Sequence, residues 1–113
     1  MRHQAIPISQ WPKGLCFDLA RISMNVDELA QRLNVPVETA NDDLDYFKAI
    51  IVDTAFGPIA FQQYRGMPDR STLVICMEAQ ADTRKLLHDI ASIFGIPAER
   101  FVWTCLSDQP SPR

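Results

Sequence analysis

With 113 residues the chain has one domain's worth of length, enough to close a single core without disulfide staples. Its net charge of −3 and pI near 5.2 argue against nonspecific binding to nucleic acid or to an anionic membrane surface. Cys16, Cys76 and Cys105 are odd in number and form no Cys-x-x-Cys pair, so the expectation is free thiols in a reducing, cytoplasmic compartment.

The opening MRHQAIPISQWPKG carries no continuous apolar stretch of a secretory leader. The longest aliphatic run, AIIV at 49–52, is too short to cross a bilayer. Residues 1–12 are expected to be irregular, because Pro7 and Pro12 interrupt regular structure. KGLCFDLARISM at 13–24 fits two periods. Leu15, Leu19 and Ile22 suit a helix face, whereas Leu15, Phe17 and Leu19 alternate as a strand would; a short helix is the preferred reading.

Asn25 is a suitable helix N-cap, with Glu28 three residues on, and Val26, Leu29, Ala30 and Leu33 supply an apolar stripe. Asn34 can end that helix in a left-handed conformation, and Pro36 fits the first turn of a second one. In this second helix Val37, Ala40, Leu44 and Phe47 would be buried, and Glu38, Asp42 and Asp45 would form an exposed acidic stripe.

From Lys48 the period changes. KAIIVDT is rich in β-branched residues and reads as a strand, AFGP as a turn, and IAFQQYR as a half-buried strand that alternates Ile59, Phe61 and Gln63 against Ala60, Gln62 and Tyr64. After a second turn, TLVICME is almost continuously apolar and belongs in the middle of a sheet, buried on both faces. DTRKLLHDIASIF at 82–94 reads as a helix capped by Asp82, burying Leu86, Leu87, Ile90, Ile93 and Phe94, and stopped by Gly95 and Pro97. RFVWTCL at 100–106 is the last strand, with Trp103 expected under that helix, and 107–113 is a polar tail. The whole, 1–113, is expected to be one α+β domain. A mixed four-stranded sheet, made of a β-meander plus a β-α-β crossover, would carry one long helix on a face and an N-terminal helical pair.

DELAQRLNVPVETANDDLDYF resembles the helix-turn-helix segments of winged-helix repressors, over about a fifth of the chain. The resemblance implies DNA binding, but its second helix would present Glu38, Asn41, Asp42, Asp45 and Tyr46 where base and phosphate contacts need Arg, Lys, Asn or Gln. The bland account of this acid is a solvated face. Against it, Glu38 and Asp42 would be like charges at i,i+4, and Asp43 and Asp45 would sit at the unfavourable end of the helix dipole. A basic partner would offset both costs, with Tyr46 as an aromatic anchor and Asp53 at the edge.

Catalytic chemistry finds little to work with. Cys16 with His88 or His3 is the one thiol-imidazole combination, without a local motif around it and with His88 on the polar side of its helix; an inert buried thiol and a surface histidine are the preferred account. No Cys/His spacing suits zinc, Gly57 and Gly66 are isolated turn glycines, and NDDLD falls in an expected helix rather than a calcium loop. Asp45 and Asp53 could pair for acid-base work, as carboxylates on any surface could. The aromatic residues read as core, with Trp11 as a partner contact if exposed. Arg65 and Arg70 flank a hairpin tip, where two arginines could hold a carboxylate but an ordinary charged loop is the simpler account. No catalytic, cofactor or metal site is predicted.

In size, charge and compartment the chain resembles the small immunity proteins of bacterial toxin systems, including contact-dependent growth inhibition. These share no common motif, so no residue role transfers. The resemblance implies a non-enzymatic cytoplasmic inhibitor that binds a basic partner, a toxic nuclease domain, through carboxylates standing in for phosphates. The expected contact is Glu38, Asp42, Asp43, Asp45, Tyr46 and Asp53. Alternatives are a helix-turn-helix regulator, which would need basic groups on that surface, and a non-catalytic subunit docking through an uncovered sheet edge.

Overall fold

The computed structural model describes residues 4–7, 9, 16–41, 46–65, 72–78 and 82–106, with backbone alone at Cys16, Asn41 and Glu78. His3, Trp11, Asp42, Asp43, Leu44, Asp45, Arg70 and the tail 107–113 lie outside the described residues. The elements run β1 (Gln4–Ala5), β2 (Cys16–Ile22), α1 (Val26–Leu33), β3 (Glu38–Asn41), β4 (Tyr46–Thr54), β5 (Gly57–Tyr64), β6 (Leu73–Glu78), α2 (Thr83–Phe94) and β7 (Phe101–Thr104). The chain is α+β. Its strands form one sheet in the order β1-β4-β5-β6-β2-β7, with β3 sharing the β4 edge with β1. Among the described residues no helix is long and apolar enough to cross a membrane.

Both helices start and stop where local chemistry directs. The Asn25 side chain accepts from Glu28 N at 2.7 Å, and Asp82 accepts from Lys85 N at 3.0 Å, each satisfying an amide that the first turn leaves unpaired. Asn34 and Gly95 end the helices at φ 56° and 65°. Helix-side core residues are Leu29 from α1, Leu86, Leu87, Ile90 and Phe94 from α2, and Ile22, Ile50, Val52, Ile59, Phe61, Leu73, Ile75 and Met77 from the sheet. Ile93, expected in the core, is 38% exposed. On the opposite face Ile51, Ala60, Val74 and Cys76 form a smaller buried cluster against which Ile6 and Tyr64 pack. Within TLVICME, residues 72–77 are thus central and buried on both faces, as the unbroken apolar run predicts.

The sheet corrects several expectations. It has seven strands rather than four, and every pairing among the described strands is antiparallel. β6 and β7 do run parallel across α2, but β2 lies between them and pairs with both, so the crossover is split. The expected helix at 13–24 is strand β2. A β-bulge between Asp18 and Ala20 turns Leu19 and Ala20 both into the helix-side core, and that extra residue is what gives Leu19 and Ile22 a helix-like spacing. Gln4–Ala5, within a segment expected to be irregular, adds to the edge of β4 opposite Asp53 and Val52.

The second helix of the expected pair does not form. Glu38–Asn41 pairs with Tyr46–Ala49 as a β-hairpin, and Tyr46 and Phe47 belong to β4. The apolar positions Val37, Ala40 and Phe47 had suggested a helix, yet the like charges along it opposed one, and ladder bonds to the long β4 strand win. Without that helix there is no helix-turn-helix unit. Trp103 also departs from expectation: its register opposite Arg21 places it on the face away from the helices, and Phe101 is the residue of β7 that packs on the helix-side core. The β7 edge is four residues long and broken by a bulge at Val102.

Candidate functional site

The β3–β4–β5 end of the sheet contains a cleft of about 370 Å³. Strand alternation puts Thr39, Tyr46, Lys48, Gln63 and Arg65 on the helix side of this cleft, and Phe47 and Tyr64 also line it. Three contacts fix its frame. Arg65 N donates to Tyr46 O at 2.9 Å, carrying the β4–β5 ladder one residue beyond the Phe47–Tyr64 pair. The Phe47 and Tyr64 rings lie 5.0 Å apart on the far face. From the helix, Val26 N donates to Gln63 Oε1 at 2.9 Å, so a side chain of β5 satisfies an amide in the first turn of α1.

Electrostatically the cleft is mixed. Lys48 Nζ is 3.1 Å from Asp27 Oδ2, an exposed ion pair worth about 0.2–1 kcal/mol but one that fixes where the ammonium points. The guanidinium of Arg65 makes no hydrogen bond or ion pair among the described residues. Tyr46 is 58% exposed, the most of any large hydrophobic side chain described. The chemistry on offer is recognition: two cations, phenol hydroxyls, an amide and aromatic surface.

The structure does not bring the sequence-predicted contact residues together. Glu38 lies opposite Ala49, on the face of the sheet away from the helices, and Asp53 is on that same face four residues further along β4, about 13 Å at the usual strand rise. Tyr46 points to the other side. Asp42, Asp43 and Asp45 belong to the connection between β3 and β4, outside the described residues. Sequence reasoning missed Lys48 and Gln63. Gln63 did leave a signal: it is the polar residue in the alternating set Ile59, Phe61, Gln63, on the side of the strand that faces the core. Arg65 was flagged as a carboxylate-binding candidate and does line the cleft.

Among the described residues no group of three or more His, Cys, Asp and Glu side chains is placed to hold a metal ion. Cys76 is buried and Cys105 half-buried, and burial pushes the Cys105 thiol up from its ordinary range. His88 is exposed on α2. The fold and cleft define an α+β protein with one antiparallel sheet, helices on one face and a cleft at one end. No family model matches the chain, and neither the curated proteins nor the solved structures provide a match.

Proposed function

We propose that the protein binds and neutralises a basic protein partner, acting by blockade, and that the partner is a toxic nuclease domain as in bacterial immunity systems. The observation that supports this reading is the placement of charge. Residues 25–65, which build α1, β3, β4 and β5, hold seven acids and three bases, a net −4 against −3 for the whole chain. These elements are neighbours in the fold, and the exposed Tyr46 stands among them. A net negative charge over these elements suits electrostatic steering, and the exposed Tyr46 suits anchoring. In this reading Asp42, Asp43 and Asp45 supply the charge, with Tyr46 as the anchor and Glu38 and Asp53 at the margin.

The test is capture of partners from a bacterial lysate at low and high salt, followed by binding measurements on any basic protein recovered. A single basic nuclease, released by salt and bound more than tenfold more weakly by the Asp42→Asn/Asp43→Asn/Asp45→Asn variant and by Tyr46→Ala, is the expected result. Undiminished affinity in both variants would refute the assignment of the contact. Absence of a basic partner would refute the function.

A further inference from the structure

We propose that the helix-free face of the sheet carries an oxyanion site centred on Arg21, taking a carboxylate or phosphate group. Arg21 is 5% exposed, the only charged side chain among the described residues that is so buried. Burial of a guanidinium ordinarily requires a counter-charge, because the desolvation cost is several kcal/mol per ion. Here Nε donates to Thr72 Oγ1 at 3.0 Å, and among the described residues the two terminal nitrogens have neither a hydrogen bond nor an ion pair. No buried side-chain nitrogen or oxygen among them is both sealed from solvent and unbonded, so these two nitrogens retain a route to water.

Strand registers define what surrounds the guanidinium. Val74 of β6 and Trp103 of β7 flank Arg21, and Gln62 lies one strand beyond Val74. Asp18 is on the same strand and face, but its Oδ1 is 3.3 Å from the Cys76 Sγ, and it forms no ion pair with Arg21. The thiol lies equally close, 3.3 Å, to Gln62 Oε1. With Nε committed to Thr72, the planar fork is held in one orientation, and the terminal nitrogens form the parallel donor pair that carboxylates and phosphates accept. Apolar neighbours and the flanking indole would strengthen that pairing by excluding water.

The experiment is thermal unfolding and tryptophan indole ¹H–¹⁵N spectra of the full chain, titrated separately with inorganic phosphate and with acetate from about 1 to 30 mM at constant ionic strength set by chloride. Wild type is expected to show a saturable rise in midpoint and a shift of one indole signal with at least one of the two anions. A response to phosphate alone assigns a phosphate group, and a response to acetate assigns a carboxylate. Arg21→Met, which removes the charge and keeps the bulk, abolishes both responses. Arg21→Lys folds with the charge retained but without the fork, and needs at least tenfold more anion. No response in wild type, or an equal response in Arg21→Met or Arg21→Lys, would overturn the proposal.

Discussion

Replacing Gln63 with Leu tests whether the cleft and the first turn of α1 are one cooperative unit. Gln63 Oε1 takes the Val26 amide at 2.9 Å, and Val26 is fully buried. Leu is close in size to Gln but has no acceptor. The stranded N–H then bears the desolvation penalty of an unbonded buried amide, about 1–3 kcal/mol. Complete burial of Val26 puts the cost in the upper half of that range, and the added apolar surface of Leu returns a few tenths. The net expectation is about 2 kcal/mol, a sizeable share of the roughly 5–15 kcal/mol available to a domain of this size.

Urea unfolding should show this as a midpoint lower by about 1 M at an unchanged slope, since the surface exposed on unfolding is the same. Hydrogen exchange should speed up first in α1, because loss of its N-terminal contact to β5 leaves Asn25 as the local cap. Gln63→Glu is the informative control. It keeps the acceptor, places an anion at the positive end of the helix dipole, and should remain within about 0.5 kcal/mol of wild type. If Gln63→Leu unfolds at the wild-type urea concentration, or if Gln63→Glu falls as far as Gln63→Leu, the reasoning is refuted.

Phe61→Ala should destabilise the fold by about 4 kcal/mol in the same assay, since Phe61 is fully buried and its ring meets Phe94 edge-on at 5.1 Å; a loss below about 2 kcal/mol would mean that the sheet and α2 collapse into the space. Gly95→Ala should cost about 1 kcal/mol of thermal stability, from its φ of 65° alone, because nothing lies within 4 Å of the added carbon. Cys105 has its pKa raised in the fold by desolvation, so the unfolded chain loses the thiol proton first. Stability should therefore be intact below about pH 9, the thiol's ordinary value, and decline as pH rises beyond it, and Cys105→Ser should flatten that decline in pH-dependent urea titrations.

Where local chemistry decides structure, the residues could be read directly. The Asn25 and Asp82 caps, the left-handed stops at Asn34 and Gly95, the alternation of β5 and the two-sided burial of β6 all follow from neighbours in sequence. The errors arose where a distant strand decides. Leu19 and Ile22 have helical spacing only because a bulge opposite β6 adds a residue, and a bulge is invisible until the partner strand is known. Val37 and Ala40 offered two helical matches, but Glu38–Asn41 gains a full ladder against β4, and Tyr46 was needed to begin that partner. The split crossover was out of reach for a related reason. β2 enters between β6 and β7 from more than fifty residues earlier in the chain, which no local pattern records.

The same contrast governs the site. The acid between Glu38 and Asp45 was read as one helical stripe, but Glu38 lies on a strand, and Asp42, Asp43 and Asp45 fall outside the described residues. Glu38 and Tyr46 now face opposite sides of the sheet, so a single flat partner surface could not contact both through one face. A partner that engages both must straddle the β3 edge, meeting Tyr46 and the cleft on the helix side and Glu38 on the other. That geometry makes the two sides separable. Tyr46→Ala and Glu38→Gln lie about three residues apart across the hairpin register and on opposite faces, so their effects on partner affinity should add. Weakened binding in Tyr46→Ala beside unchanged binding in Glu38→Gln would mean that the partner approaches from the helix side alone, and Glu38 would then leave the contact.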